Sequence, residues 1–415
     1  MKIPTNIPQG YKSSPLGIIP KDWEVKRLGE VCVNAGEYGL NAPAVDYNPA
    51  LPTYLRITDI DVDGTFIKSD KKSVMADNAH DYYLSDGDIV FARTGATVGK
   101  SYLYNPKDGR LVFAGFLIRF SPDKNKIVPY YIKCLTETIG YHNWVSTIST
   151  RSGQPGINAQ EYASFQFPLP PLAEQERIAE LLGTWDKAIE MQKQLIDKLE
   201  LRKKGLMQQL LTGKKRLPGF TGEWKKVRLG DYATMNSGGT PLSSNRSYYG
   251  GDIPFLSISD MTTSGKYIDH TARTITKIGL ENSSARVFPK GTLVFAMYAS
   301  LGKCSITNIE VAISQAILGF RLSEQLHRDF LYYYFCYIEP FIVKMGQNGT
   351  QSNLNKSIVE NYILSIPLNI KEQSAIANVL SSMDDEIQKL TEKRDKYIEE
   401  KQGLMQVLLT GKKRI

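Results

Sequence analysis

A chain of 415 residues with a net charge of +8 and a pI near 9.0 has room for two domains with separate cores, and it favours a polyanionic partner. Four dispersed cysteines (Cys32, Cys134, Cys304, Cys336) without a CxxC pair, and four scattered histidines, argue against a disulfide scaffold and against a zinc or other metal site. No apolar run is long enough to cross a membrane, and the N-terminus, with Pro4, Pro8 and Pro15, lacks the apolar core of a signal peptide, so a cytoplasmic protein without a membrane partner is expected.

In chain order, an N-terminal extension (1–20) leads into a first globule, 21–168. It opens with Trp23 and Arg27-Leu28-Gly29, then carries short β-branched or aromatic runs bounded by Gly, Asp or Pro, the pattern of strands and turns. Tyr54-Leu55-Arg56-Ile57-Thr58-Asp59 and Gly87-Asp88-Ile89-Val90-Phe91-Ala92 are the clearest of these. The aromatic-rich stretch from Pro129 to Val145 predicts a long helix. A loop at Gly153-Gln154-Pro155-Gly156 and a Pro-ended strand, Phe165-Gln166-Phe167-Pro168, close the globule, and a helical segment, 169–217, follows.

The second globule, 218–367, repeats this order. Trp224 with Arg228-Leu229-Gly230 answers Trp23 with its Arg-Leu-Gly, and Phe255-Leu256-Ser257-Ile258-Ser259-Asp260 and Gly291-Thr292-Leu293-Val294-Phe295-Ala296 answer the two strand runs. A predicted helix from Phe330 to Met345, a loop at Gly349-Thr350-Gln351-Ser352 and the strand Ile363–Pro367 come next, before a second helical segment, 368–415. Repetition is tightest in the helical segments, where roughly half of the aligned residues are identical. Each ends alike, as Gly205-Leu206-Met207-Gln208 then Leu210-Leu211-Thr212-Gly213-Lys214-Lys215-Arg216, and as Gly403-Leu404-Met405-Gln406 then Leu408-Leu409-Thr410-Gly411-Lys412-Lys413-Arg414.

The helical segments carry a heptad stripe. Its apolar members are Ile178, Leu182, Trp185, Ile189, Ile196, Leu199, Leu206 and Leu210 in the first copy, interrupted by Gln192 and Lys203. The second has Ile376, Leu380, Met383, Ile387, Leu390, Tyr397, Leu404 and Leu408, interrupted by Arg394 and Lys401. Pro170-Pro171 and Glu174 suit a helix start, and Gly213 and Gly411 suit a left-handed stop. At about 1.5 Å per residue each helix would be a rod of roughly 60 Å. Neither stripe can remain in water, and the simplest partner for each is the other. Because the second globule must carry the chain back, the pair would be antiparallel and the two halves related by a pseudo-two-fold axis. The alternative packs each helix on its own globule. The fold class expected is α+β: two tandem mixed α/β domains joined by an antiparallel coiled-coil spacer.

Motifs for chemistry are missing. Gly95-Ala96-Thr97-Val98-Gly99-Lys100-Ser101 has three residues between its glycines where a P-loop needs four, and its counterpart, Ala299-Ser300-Leu301-Gly302-Lys303-Cys304, lacks the first glycine. A turn offering backbone amides and Lys100 or Lys303 to a DNA phosphate is the better reading. Asp22, Glu24 and Lys26 are too compactly spaced for a nuclease triad. No nucleophile elbow, HExxH or dinucleotide fingerprint appears, so no catalytic residue is named and a binding module is expected. Polar and basic residues beside the glycine turns are the DNA-contact candidates: Arg56, Arg93, Thr94, Thr97, Lys100, Arg151 and Gln154 in the first half, and Ser257, Tyr298, Ser300, Lys303, Gln351, Ser352 and Asn353 in the second. Arg93-Thr94 faces Met297-Tyr298, so similar frames carry different reading groups. A scaffold whose globules bind protein, and a self-sufficient nuclease, are the competing classes.

These residues resemble a known family, the DNA-specificity (S) subunits of type I restriction–modification systems. Ser237-Gly238-Gly239-Thr240-Pro241, followed by Tyr248-Tyr249-Gly250-Gly251-Asp252-Ile253-Pro254-Phe255 and Ile258-Ser259-Asp260, looks like the opening of a target recognition domain. Arg93-Thr94-Gly95-Ala96-Thr97-Val98-Gly99-Lys100 looks like another recurring string, and Leu169-Pro170-Pro171-Leu172-Ala173-Glu174-Gln175 and Leu-Leu-Thr-Gly resemble the two ends of the family's helical region. The first domain departs from the pattern, with Asn34-Ala35-Gly36-Glu37-Tyr38-Gly39 in place of Ser-Gly-Gly-Thr-Pro. The resemblance implies two target recognition domains that bind an asymmetric, bipartite double-stranded DNA sequence. It also implies a helical spacer that recruits two modification (methyltransferase) subunits, with restriction and motor subunits joining them. S-adenosylmethionine, ATP and Mg²⁺ would then belong to the partners, and none to this chain.

Overall fold

The computed structural model describes residues 7–150, 155–347 and 353–415. The chain divides into two compact units, one formed by residues up to 192 together with 393–415, the other by 193–392. Two long helices of 39 residues each, Leu172–Leu210 and Ile370–Leu408, contribute their first half to one unit and their second half to the other. Each is followed by a glycine at positive φ (Gly213 and Gly411, both +70°), a backbone that side chains with a Cβ resist.

In the first unit, one sheet runs Glu37–Tyr38, Leu117–Phe120, Ile89–Ala92, Ser101–Leu103, all antiparallel. A second runs Leu111–Phe113, Thr53–Leu55, Lys72–Val74, Ala44–Asp46, with its first pair parallel. In the second unit the first sheet recurs with one more strand, as Ala233–Ser237, Ile317–Leu322, Leu293–Ala296, Cys304–Thr307, Tyr267–Ile268. The second keeps three strands, Val311–Ile313 parallel to Tyr249–Leu256 and Arg273–Ile275 antiparallel to it, with Arg286–Phe288 added beside Val311–Ile313 in place of Ala44–Asp46. The predicted helix from Pro129 to Val145 is in fact two, Pro129–Leu135 and Ile139–Ser149. The break falls where the Thr138 hydroxyl accepts from the Tyr141 amide at 3.2 Å, which starts a new helix. Its counterpart is one helix, Arg328–Gln347, which absorbs Pro340.

Both partners foreseen for the stripe are used. In the first unit, Ile178 and Leu182 of the first helix and Met405, Leu408 and Leu409 of the second enter a core with Trp23, Phe91, Phe120, Tyr131 and Phe167. In the second unit, Met207, Leu210 and Leu211 join Ile376 and Leu380 around Phe295, Phe330 and Phe335. Ile189, Ile196, Leu199 and Met383 are also buried, whereas Trp185, Leu206, Ile387, Leu390, Tyr397 and Leu404 are half-buried. Near its end each helix buries Met207 or Met405 more deeply than the neighbouring leucine, because that turn faces the globule core.

The helix halves run antiparallel within each unit. In the first, Glu174 meets Arg414 at 2.7 Å, Trp185 meets Tyr397 with ring centroids 5.6 Å apart, and Asp186 meets Lys401 at 2.7 Å. In the second, Lys203 pairs with Asp384, and Arg216 with Glu372 at 2.6 Å. Lys203 and Lys401, polar interruptions in the sequence stripe, thus fix the register: a charge at a seam position tolerates only the alignment that supplies its counter-charge. Tyr130 and Tyr333 donate their hydroxyls to the same aspartates, Asp186 and Asp384.

A duplicated clamp closes each unit. Glu174, buried, accepts from the Trp23 indole at 3.0 Å and from Arg414, which also grips Asp22 at 2.8 and 2.9 Å. Glu372, equally buried, accepts from Arg216 at 2.6 and 2.7 Å and from the Trp224 indole at 3.4 Å. Beside them Gln175 and Gln373 accept from the amides of Val128 and His327 and donate to the carbonyls of Pro170 and Pro367. The repeated Leu-Leu-Thr-Gly-Lys-Lys-Arg tail therefore delivers one arginine to each clamp. Asp22 is clamped and Glu24 pairs with Lys26 at 2.7 Å, so neither belongs to a nuclease triad.

Candidate nucleic-acid interface

The candidate surfaces lie where the central strand of the antiparallel sheet ends. In the first unit Phe91 stands opposite Ile118, which stands opposite Tyr38. Two residues on, in the same register, the Arg93 amide donates to the Phe116 carbonyl at 3.0 Å. The second unit aligns atom for atom in the backbone: Phe295 opposite Leu318 opposite Ser237, and the Met297 amide donating to the Ala316 carbonyl at 2.9 Å. Ile157 and Leu354 then close the two sites by donating to the carbonyls of Arg93 and Met297.

This register sets Gly39, the end of the departing string 34–39, against Gly238 of Ser-Gly-Gly-Thr-Pro. Gly39 donates to Leu117 as Gly238 donates to Ile317. A Cβ on Gly39 would lie 2.2 Å from the Ala114 carbonyl oxygen, and one on Gly238 would lie 1.7 Å from that of Ile313. Both positions need glycine because another backbone passes through the space of a side chain.

The side chains on this shared frame differ. The Arg93 guanidinium lies 4.8 Å from the centre of the Tyr38 ring, a cation–π contact, and no carboxylate among the described residues pairs with it. Met297 is instead buried, and Tyr298 beside it is exposed. The remaining candidates are spread more widely. Arg56 is committed to Asp59, donating from Nε at 2.9 Å and Nη2 at 2.6 Å, and this pairing raises its pKa. Ser257, its counterpart, bonds Asp260 at 2.6 Å in the same helix-starting role. Thr94 is half-buried in a bridge to Gly156, and the Thr97 hydroxyl donates to its carbonyl at 3.3 Å.

In the turn expected to cradle a phosphate, four amides are engaged within the protein. Gly95, Val98, Gly99 and Lys100 donate to Pro155, Gly95, Ala92 and Thr97, and the Lys100 ammonium donates to the Ile60 carbonyl at 3.0 Å. Gly302 and Lys303 are likewise engaged through their amides with Ala296 and Ser300. Lys303 is half-buried, Ser300 lies 3.3 Å from the Thr262 hydroxyl, and Asn353 is exposed. Arg151, Gln154, Gln351 and Ser352 lie outside the described residues. Three residues of this surface escape a residue-type search, Tyr38, Phe116 and Gln315. Aligning Phe113–Ile118 with Ile313–Leu318 as repeats would have marked the last two, since a tight turn carries Gly115-Phe116 in one and Gln315-Ala316 in the other. Among the described residues no group of three or more His, Cys, Asp or Glu is placed to hold a metal ion, and no helix is long and apolar enough to cross a membrane.

Two copies of one mixed α/β plan, alike in backbone and unlike in the side chains they expose, define a recognition protein with two reading surfaces. Residues 20–201 and 221–400 each match the Type I restriction modification DNA specificity domain, and the chain belongs to that family. It is a DNA-specificity subunit of a type I restriction–modification system, the recognition component and not a catalytic one. The chain is similar to the putative type I restriction enzyme MjaX specificity subunit of Methanocaldococcus jannaschii, 28% identical over 98% of this chain and 97% of that one. The MjaVIII specificity subunit of the same organism is 25% identical over 96% and 94%. In fold it is similar to the type I restriction–modification S subunit from M. genitalium, with TM-score 0.59, 13% identity and coverage of 93% of this chain and 96% of that one. A chain from a structural study of complex assembly and conformational transition of the type I R-M system gives TM-score 0.58 at 21% identity, covering 95% and 99%.

Proposed function

We propose that each unit reads one half of an asymmetric, bipartite site in duplex DNA, and that the paired helices set the distance between the halves. The helices also dock two modification subunits, restriction and motor subunits complete the enzyme, and the partners carry S-adenosylmethionine, ATP and Mg²⁺. The place of action is the cytoplasm. One observation carries the reading: the same backbone frame presents Arg93 over Tyr38 in one unit and Met297 beside Tyr298 in the other. A single repeated recognition sequence would need no such divergence.

The test lengthens both helices by one heptad, at residues 192 and 392, which leaves the clamps and the Lys–Asp pairs intact. Seven residues add about 10 Å, or about three base pairs at 3.4 Å. Methylation-aware sequencing of a host expressing the lengthened subunit with its modification subunit should show unchanged half-sites and a longer spacer. The original spacer in that variant would sink the ruler.

A further inference from the structure

We propose that Phe116 is a specificity-determining residue of the first recognition unit, and that it contacts the C5-methyl of a thymine next to the base read by Arg93. This rests on the half-site reading above and deepens it. Phe116 is 59% exposed in a tight turn in which the Leu117 amide returns to the Ala114 carbonyl at 2.8 Å. Such a turn holds its tip without help from the side chain, so nothing in the fold requires a phenyl ring in water there.

What surrounds it points to a base edge. Phe116 stands opposite Arg93 in the register of the sheet, so the two side chains leave the same face as neighbours. Tyr38, one strand beyond the Phe116 turn in the sheet, holds the guanidinium over its ring, and its hydroxyl accepts from the Ala159 amide at 3.2 Å. Tyr38 is a positioning residue here. An arginine free of carboxylates matches the two acceptors of a guanine in the major groove, and an apolar ring beside it matches a thymine methyl. In the second unit the same turn carries Ala316 half-buried and Gln315 exposed, so this apolar contact belongs to the first half-site alone.

The experiment uses the complex of this subunit with its modification subunit on duplexes bearing the genomic site found by methylation-aware sequencing. Replacing one thymine of the first half-site with uracil removes only the methyl group, and at one position it should weaken binding about tenfold. Phe116→Ala should show the same loss on the thymine duplex and no further loss on the uracil duplex. Uracil in the second half-site should change nothing. Phe116→Leu, which keeps an apolar group, should recover part of the affinity. Equal binding by wild type and Phe116→Ala overturns the proposal. So does a Phe116→Ala defect without sensitivity to uracil anywhere in the half-site, which would make the ring a wedge between bases. If the wild-type complex binds no site-specific duplex at all, the half-site reading fails and not the role of Phe116 within it.

Discussion

The clamps and the reading tips are both duplicated, yet duplication has preserved different things in each. At the clamps the side chains themselves recur: Trp23, Glu174 and Arg414 in one unit, Trp224, Glu372 and Arg216 in the other. At the tips only backbone contacts recur, and Arg93, Tyr38 and Phe116 give way to Met297, Ser237 and Ala316. A buried carboxylate has few partners that satisfy it, so its neighbours are fixed by desolvation. A side chain at a tip satisfies no buried charge: Arg93 stacks on Tyr38 and Met297 packs into the core, so its identity is freer to follow whatever the tip binds.

The largest effect should come from breaking the clamps. Glu174→Ala leaves the buried Trp23 indole without an acceptor and removes the charge-assisted bonds from Arg414, which keeps only Asp22, and should destabilise the first unit by about 4 kcal/mol. Glu372→Ala should do the same to the second unit. Hydrogen exchange resolved by peptide would report each loss separately, and losses spread evenly over both units would contradict independent clamps.

Exchanging the tips should be unequal in its two directions. Met297→Arg drives a charge into a buried position and should cost about 3 kcal/mol of stability in the second unit. Arg93→Met removes only a stacked, half-exposed cation, so thermal unfolding should move little while discrimination at one half-site falls about tenfold. A stable Met297→Arg variant would show that the second tip is less packed than its neighbours imply.

The smallest effect is the part of the pH dependence that Glu137 gives the first unit. Burial pushes the Glu137 carboxyl up, but Lys133 and Lys401 outweigh it and hold the pKa below its ordinary value. A depressed folded-state value contributes stability above the unfolded value, and that contribution is lost as pH falls through the folded value. Acid melting curves of the first unit should therefore drop below pH 4.5, and Glu137→Gln should flatten that drop. Counting on equally from Tyr130 and Tyr333, the second unit has Pro340 in this place; there, against burial, Arg328 and Lys266 hold the Asp329 carboxyl low instead, and Glu137→Gln should leave that unit's acid melting unchanged.

Much of the architecture was legible in the sequence because it is written locally. The heptad stripe, the glycine stops and the strands around Phe91 and Phe295 depend on neighbours within a few residues and appear as expected. The runs 54–59 and 255–260 are strand only to Leu55 and Leu256 and turn helical at Ile57 and Ile258. Long-range pairings were not legible. Nothing near Arg414 announces Glu174, 240 residues away, and the lysines that break the stripe gain meaning only from Asp186 and Asp384 across the seam. The candidate surface divides in the same way. Residue type nominates Arg93 and Arg56 alike, and only side-chain aim shows that Asp59 holds Arg56 while Arg93 stacks on Tyr38. Phe116 was missed because an apolar residue beside a strand reads as core until its exposure is known.

The division of the long helices also bears on how the protein is made. The second unit, 193–392, is one continuous stretch and can close as soon as it leaves the ribosome. The first unit is discontinuous: Met405, Leu408, Leu409 and Arg414, which complete its core and clamp, emerge only after all of the second has been synthesised. The half translated first is thus the half finished last. Until then Ile178, Leu182 and the Glu174 carboxylate wait with one side uncovered, a long interval in which a nascent chain is open to chaperones and to mispairing.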